Sequence, residues 1–134
     1  MIVFDTNLFV RLATNDVPSI RTAVVELLER HATRISKTVL LETEWVLRSQ
    51  YGYKASQFVD FVEYLLGVPA LKIEDEGVVR WANDAVNAGL DFADALHLSI
   101  AAAADESFYT FDETLFRKAA RLDGVKVILV RAKK

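Results

Sequence analysis

The opening stretch Ile2-Val3-Phe4-Asp5-Thr6-Asn7 sets the pattern for the whole chain. Its three apolar residues and the turn that follows predict a short buried strand, Ile2–Asp5. The polar pair after Asp5 then opens a short helix, which we expect over Leu8–Ala13. The same order of strand and helix recurs along the sequence, and it governs the fold.

The rest of the chain continues this alternation. Strands that alternate with helices imply parallel pairing and right-handed crossovers. We therefore predict an α/β fold with helices on both faces of a central parallel sheet. Further strands are expected at Arg34–Ser36, Leu71–Ile73, Phe108–Phe111 and Lys126–Val130, and helices at Thr38–Tyr51, Ala55–Leu66, Glu74–Gly89, Phe92–Ala104 and Asp112–Leu122.

A polar segment over residues 14–19 separates the first helix from a second one that carries Val24, Leu27 and Leu28 at helical spacing. Asp16 or Ser19 is expected to cap this second helix, because short polar side chains satisfy its first backbone N–H groups. The helix Phe92–Ala104 is apolar on almost every side, which predicts that it is buried.

Composition limits the class of protein. The chain has 134 residues, which fits one domain spanning 1–134. Its 16 basic and 19 acidic residues argue mildly against a protein that coats nucleic acid, since such proteins are usually basic. Cysteine is absent, which excludes disulfides and thiolate metal sites. No signal peptide or membrane span is visible, so we expect a cytoplasmic protein with no membrane partner.

Four acidic residues stand in or at the end of apolar runs: Asp5, Glu42, Asp94 and Asp112. Such residues are seldom fully buried unless they are paired or bound to metal. Asp5 and Asp112 end predicted strands, and ligands of parallel sheets bind beyond those ends. If the fold brings the four together, they would repel one another unless a cation neutralises them. This pattern indicates a site for Mg²⁺ or Mn²⁺ and phosphate chemistry.

Structural roles compete with this interpretation. Asp5 and Asp112 each precede a helix, so either could serve as an N-cap. Asp91 lies one turn before Asp94 and could hold a metal-bound water or cap the helix. His97 lies one turn after Asp94, and a core or supporting role suits it, because no second candidate His ligand accompanies it.

Glu42 is harder to explain as a surface residue. Its helical neighbours Val39 and Trp45 are apolar, which places its carboxylate on an apolar stripe that needs a buried partner. Glu44 points about 200° away around the same helix and is expected in solvent.

Four motifs in the sequence resemble those of PIN domains. Asp5-Thr6-Asn7 resembles the opening motif, and Leu41-Glu42-Thr43-Glu44-Trp45-Val46-Leu47 resembles the second. Asp91-Phe92-Ala93-Asp94-Ala95-Leu96-His97-Leu98 resembles the third, and Thr110-Phe111-Asp112 the fourth. Their order, their spacing and the chain length are similar to those of small VapC-type toxins over essentially the whole sequence.

The resemblance implies a three-layer α/β/α sandwich and an Mg²⁺- or Mn²⁺-dependent endoribonuclease that hydrolyses RNA with a metal-activated water. It implies a homodimer inhibited by a cognate antitoxin that also binds operator DNA. By this resemblance the catalytic and metal-binding quartet is Asp5, Glu42, Asp94 and Asp112, and the supporting residues are Thr6, Asn7, Asp91 and Thr110.

Contacts to the RNA backbone must come from basic residues outside the acidic set. Arg11 and Arg48 are candidates, although Arg48 could equally form a surface salt bridge. The basic residues Arg117, Lys118 and Arg121 and the end of the chain, residues 131–134, are further candidates, and an ordinary solvated face is the competing interpretation.

Two other functions remain open. A strand that ends in Asp also serves phosphotransfer proteins, but the second Asp expected two residues later is Asn7 here, and the paired acids and late Lys of receiver domains are missing. A non-catalytic PIN-like module that binds RNA or protein is the second alternative. Metal-dependent cleavage, as opposed to metal-independent binding, separates it from the nuclease.

Overall fold

The computed structural model describes residues 1–133 and divides them into two compact units. The first unit is Met1–Glu76, and the second begins at Gly77. Strands and helices alternate in both units, and every strand pair in them is parallel. These observations confirm the predicted α/β class.

The first unit contains a three-stranded sheet in the order β1-β2-β3. Thr33 of the central strand lies opposite Ile2 on one side and Leu71 on the other. The elements of this unit are β1 Ile2–Val3, α1 Thr6–Thr14, α2 Pro18–Arg30, β2 Thr33–Ile35, α3 Lys37–Tyr51, α4 Ala55–Leu66 and β3 Leu71–Ile73.

The second unit contains a two-stranded sheet, β4-β5, in which Ser107 lies opposite Lys126. One helix, α7, connects these parallel strands, as a parallel crossover requires. From its first helix onward the elements are α5 Glu76–Asn87, α6 Phe92–Ala103, β4 Ser107–Thr110, α7 Glu113–Ala119 and β5 Lys126–Leu129.

Most predicted boundaries are confirmed to within a few residues. Helix α4 and strand β3 have the predicted bounds, and α3 ends at Tyr51 with Gly52 as its C-cap, whose φ of 66° suits glycine. Helix α1 begins at Thr6 rather than Leu8, because Asp5 already serves as its N-cap. Helix α7 ends at Ala119, short of the predicted Leu122.

The predicted cap of α2 was wrong. Val17 occupies the N-cap position and makes no side-chain cap, and Pro18 fills the first helical position. Proline suits that position because its fixed φ is helical and its missing N–H would have no partner there. Asp16 instead accepts hydrogen bonds from Thr14 and Arg11, so its carboxylate is used in the loop before the helix.

Each unit has its own set of buried apolar side chains. In the first, the largest fully buried side chains are Phe9, Leu12, Ile35, Leu40, Leu47 and Leu65, and in the second they include Val79, Phe92 and Leu98. Helix α6 was predicted to be buried, and Phe92, Ala95, Leu96, Leu98 and Ser99 are buried, whereas His97 and Ile100 are exposed. None of the helices within residues 1–133 is long and apolar enough to cross a membrane.

Candidate active site

Asp5 lies between β1 and α1, and the local sequence fixes its position. Its Oδ1 accepts a hydrogen bond of 2.8 Å from the backbone N–H of Thr6, so it caps the helix as the alternative interpretation had it. Phe4 before the cap packs on Phe9, with ring centroids 5.4 Å apart. These positions are those of a hydrophobic staple, which sets the angle at which the chain enters a helix. Asp5 itself is exposed, so it is anchored yet open to a ligand.

The supporting residues next to Asp5 differ from each other. Thr6 is buried at the start of α1, whereas Asn7 is exposed. The side chain of Thr6 therefore packs inside the first unit, whereas that of Asn7 lies at the surface.

The orientation predicted for α3 was wrong. Glu42 is exposed, whereas Glu44 has only 8% of its surface accessible. The buried side of the helix is formed by Leu40, Thr43, Glu44 and Leu47, a spacing of i, i+3, i+4 and i+7. That spacing was visible in the sequence, but the flanking Val39 and Trp45 obscured it. Glu42 is thus a surface carboxylate that needs no buried partner.

Glu44 is the acid that needed a partner, and it has one. Its Oε1 accepts a 2.9 Å hydrogen bond from Nε of Arg48, one helical turn later. The guanidinium of Arg48 therefore compensates the negative charge of this nearly buried carboxylate.

We expect Glu44→Gln to lower the free energy of unfolding by about 1–2 kcal/mol, because it replaces a largely buried charge-assisted hydrogen bond with a neutral one. Glu42→Gln should change it by less than about 0.5 kcal/mol, as is usual for a surface substitution. Urea denaturation of both variants tests the pair. Equal stabilities would contradict the observed orientation of α3.

Asp94 lies in the first turn of α6 and is half-buried. Burial raises the pKa of Asp94, and the charges of Asp91 and Asp112 raise it further, while His97 and Lys118 act in the opposite direction. The second unit therefore brings three of the predicted acids within electrostatic range of one another. The charged form of Asp94 is the one that this environment disfavours, and a bound cation would reverse that effect.

Both the side chain and the backbone of Asp112 are held by hydrogen bonds. Its Oδ1 accepts a 3.0 Å hydrogen bond from the N–H of Leu115, so it caps α7. Its own N–H donates to Oγ1 of Thr110 at 3.0 Å. The side chain of Thr110 therefore holds the backbone of Asp112. Asp91 occupies the N-cap position of α6 without a side-chain cap and is exposed.

The two units divide the proposed quartet. Asp5 and Glu42 belong to the first, and Asp94 and Asp112 to the second. Within residues 1–133, no three His, Asp or Glu side chains are grouped closely enough to hold a metal ion on their own. The chemistry of the donors fits Mg²⁺ or Mn²⁺, since all are carboxylates and oxygen is the donor these ions prefer.

The predicted substrate-binding arginines both have acidic partners. Arg11 Nη1 lies 3.3 Å from Asp16, and Arg48 binds Glu44. Exposed ion pairs are weak, so the pair with Asp16 contributes little to stability.

The other basic candidates belong to the second unit. Lys118 Nζ donates a 3.1 Å hydrogen bond to the carbonyl of Gly89, and Arg131 lies 4.0 Å from Glu113. Arg117 and Arg121 are exposed. The final candidate, Lys134, lies outside the described residues.

Comparison with known proteins identifies the family. The sequence profile described as PIN domain matches residues 2–122, which is nearly the whole chain. The protein belongs to the PIN domain family. PIN domains are generally nucleases and typically use divalent metals. The match includes all four acidic motifs of this PIN domain, and only β5 and the residues around it lie beyond its end.

A solved structure gives a weaker likeness. A chain in the crystal structure of VapBC2 from Rickettsia felis, bound to a DNA fragment from their promoter, is 19% identical to this PIN domain. The alignment covers 96% of this chain and 98% of that chain, with a TM-score of 0.40. The family assignment therefore rests on the sequence profile alone. No curated protein matches the chain at a significant level.

Proposed function

We propose that this PIN domain is an Mg²⁺- or Mn²⁺-dependent endoribonuclease, and that it is the toxin of a toxin–antitoxin pair. The site residues would be Asp5, Glu42, Asp94 and Asp112, which are the acids of the four motifs. The observation that carries the proposal is the environment of Asp94. A half-buried carboxylate beside two further acids has a raised pKa, and such perturbed groups are typical of functional sites.

Two of the four proposed oxygen donors have positions that are set before any ligand binds. Asp5 and Asp112 are anchored by backbone N–H groups, and Thr110 holds the backbone of Asp112. Helical positions in α3 and α6 present Glu42 and Asp94. A divalent metal at these carboxylates would supply Lewis-acid stabilisation of the phosphate and activation of water.

The acids themselves have a second task, which is to select the ion. Carboxylates with no nitrogen or sulfur donors among them favour hard cations such as Mg²⁺ and Mn²⁺ over Zn²⁺. None of the four is a nucleophile in this proposal, so water attacks the phosphodiester and no covalent enzyme intermediate forms.

The toxin assignment, the RNA substrate, the homodimer and the antitoxin belong to the same proposal. Its support is the order and spacing of the four motifs across one short chain, which resemble those of VapC-type toxins. Exposed apolar side chains on α2, Ile20 and Leu27, offer area that a protein partner could cover.

The deciding experiment is cleavage of a total small-RNA pool by the purified, antitoxin-free protein. Parallel reactions contain Mg²⁺, Mn²⁺ or EDTA, and the Asp5→Asn variant controls for contaminating nuclease. Asn also caps helices well, so this variant should keep its fold. We expect discrete fragments with metal and none with EDTA or the variant. Metal-independent RNA binding without cleavage would favour the binding module.

A further inference from the structure

We propose that Trp45 is a stacking platform for an unpaired base of the RNA, beside the scissile phosphate. This inference rests on the proposed nuclease function and adds a specificity-determining residue to it. RNA that is cut at this site would be single-stranded there, because a base inside a duplex is already stacked on its neighbours.

The position of Trp45 is the first reason. It lies in the middle of α3, yet 55% of its surface is exposed. The opposite side of the same helix is buried through Leu40 and Leu47, so the indole points away from the core of its unit. A single exposed apolar residue is ordinary by itself. The functional inference therefore depends on which residues lie next to Trp45.

The relevant neighbour of Trp45 is Glu42. It is exposed and precedes Trp45 by three residues, so their Cβ atoms are about 5–6 Å apart on one helical face. A phosphate bound at Glu42 would place the adjacent base within reach of the indole ring. Ser49, the next exposed residue on this face, donates its hydroxyl to the carbonyl of Trp45 at 2.7 Å and is thereby folded onto the helix.

The chemistry of this face favours RNA over a protein partner. The buried centre of a protein interface is depleted in charged residues, and Glu42 would be placed there next to the indole. A nucleotide suits both groups, because its base stacks on an aromatic ring while its phosphate shares a metal with the carboxylate. Stacking on an aromatic side chain contributes about 1–3 kcal/mol per base, which is about a 5- to 150-fold change in affinity.

Tryptophan fluorescence tests the proposal directly, because the chain has only two tryptophans, Trp45 and Trp81. Trp81→Phe leaves Trp45 as the sole reporter. Titration with a short single-stranded RNA that resists hydrolysis, in the presence of Mg²⁺, should quench its emission, and a matched RNA duplex should do so much more weakly. If Trp81→Phe does not fold, fluorine NMR of the fluorotryptophan-labelled wild type gives the same information.

Substitution gives the energetic test. Trp45→Ala should weaken single-stranded RNA binding by at least about 5-fold, and Trp45→Phe should retain part of the affinity because a phenyl ring also stacks. The control is Tyr51→Ala, since Tyr51 is 40% exposed at the end of the same helix and far along it from Glu42. It should bind RNA as the wild type does.

The outcomes separate this inference from the function on which it rests. Quenching by RNA in a protein that never cleaves would support the stacking role and overturn the nuclease. Normal cleavage and an unchanged KM in Trp45→Ala would keep the nuclease and overturn the stacking role. A Trp45→Ala variant that dissociates a dimer in size-exclusion chromatography, with RNA affinity intact, would assign Trp45 to a protein interface and also overturn it.

Discussion

Asp94→Asn is expected to abolish RNA cleavage and, in metal-free buffer, to stabilise the fold slightly. The loss of cleavage should reach about 10³-fold, because the neutral amide is a weaker ligand for the metal that would stabilise the charge of the transition state. The gain in stability follows from the environment of Asp94. Burial and the neighbouring acids disfavour its charge, and the neutral amide escapes that penalty.

The stability effect has a defined dependence on pH. Because the pKa of Asp94 is raised in the folded protein, first by burial and then by Asp91 and Asp112, the folded state binds its proton more tightly than the unfolded chain does. The metal-free wild type therefore loses stability as the pH rises from the ordinary pKa of Asp through the raised one. Asp94→Asn lacks this loss, so the two proteins should differ at about pH 7 and converge at about pH 4.

Urea denaturation in EDTA at both pH values measures this difference, which should be below about 1 kcal/mol because solvent screens a half-exposed side chain. Addition of Mn²⁺ should stabilise the wild type and leave the variant unchanged. Glu44→Gln is the matched activity control, because it alters an acid that faces the core. A variant that is destabilised in EDTA at neutral pH would contradict the assigned environment of Asp94.

Phe9→Ala is expected to cause the largest loss of stability, about 3–5 kcal/mol. Phe9 is fully buried, with 0% of its surface accessible, and its ring packs on Phe4 across the start of α1. The substitution leaves a cavity and removes the staple that orients the chain at Asp5. Because small domains are stable by only about 5–15 kcal/mol, a large share of the molecules could unfold at physiological temperature.

Thermal and urea denaturation measure the effect, and Phe111→Ala is the control of the same residue type. Phe111 is 72% exposed, so its removal should change stability by less than about 0.5 kcal/mol. Similar losses of stability in both variants would show that the packing of Phe9 on Phe4 contributes no more to the free energy of unfolding than an exposed phenylalanine does.

The sequence predicted the order of elements well because strong local signals mark their ends. Gly52 closes α3, and the run Leu71–Ile73 between polar residues marks β3. The ends of α1 and α7 were less accurate, because a capping aspartate and the helix it caps cannot be separated by hydrophobic pattern alone. Asp5 lies outside α1 only because its backbone is extended, with φ of −68° and ψ of 155°.

The orientation of the helix that carries Glu42 was predicted wrongly. The sequence identified which acids carry the motifs, but it placed Glu42 toward the core and Glu44 toward solvent, and the structure shows the reverse. Both faces of α3 carry apolar residues, so periodicity could not choose between them. The pairing of Arg48 with Glu44 depends on that choice, and it could not be predicted either.

The capping aspartates have a consequence for how substitutions in this chain are interpreted. Asp5 and Asp112 each begin a helix, so replacing either by a residue that cannot cap costs about 1 kcal/mol whether or not RNA is cut. Asp94 differs, because its environment disfavours its charge when no metal is bound, so its replacement is not expected to destabilise the fold. In this chain, a loss of cleavage after replacement of Asp5 or Asp112 therefore reflects helix stability as well as catalysis, whereas replacement of Asp94 separates the two effects.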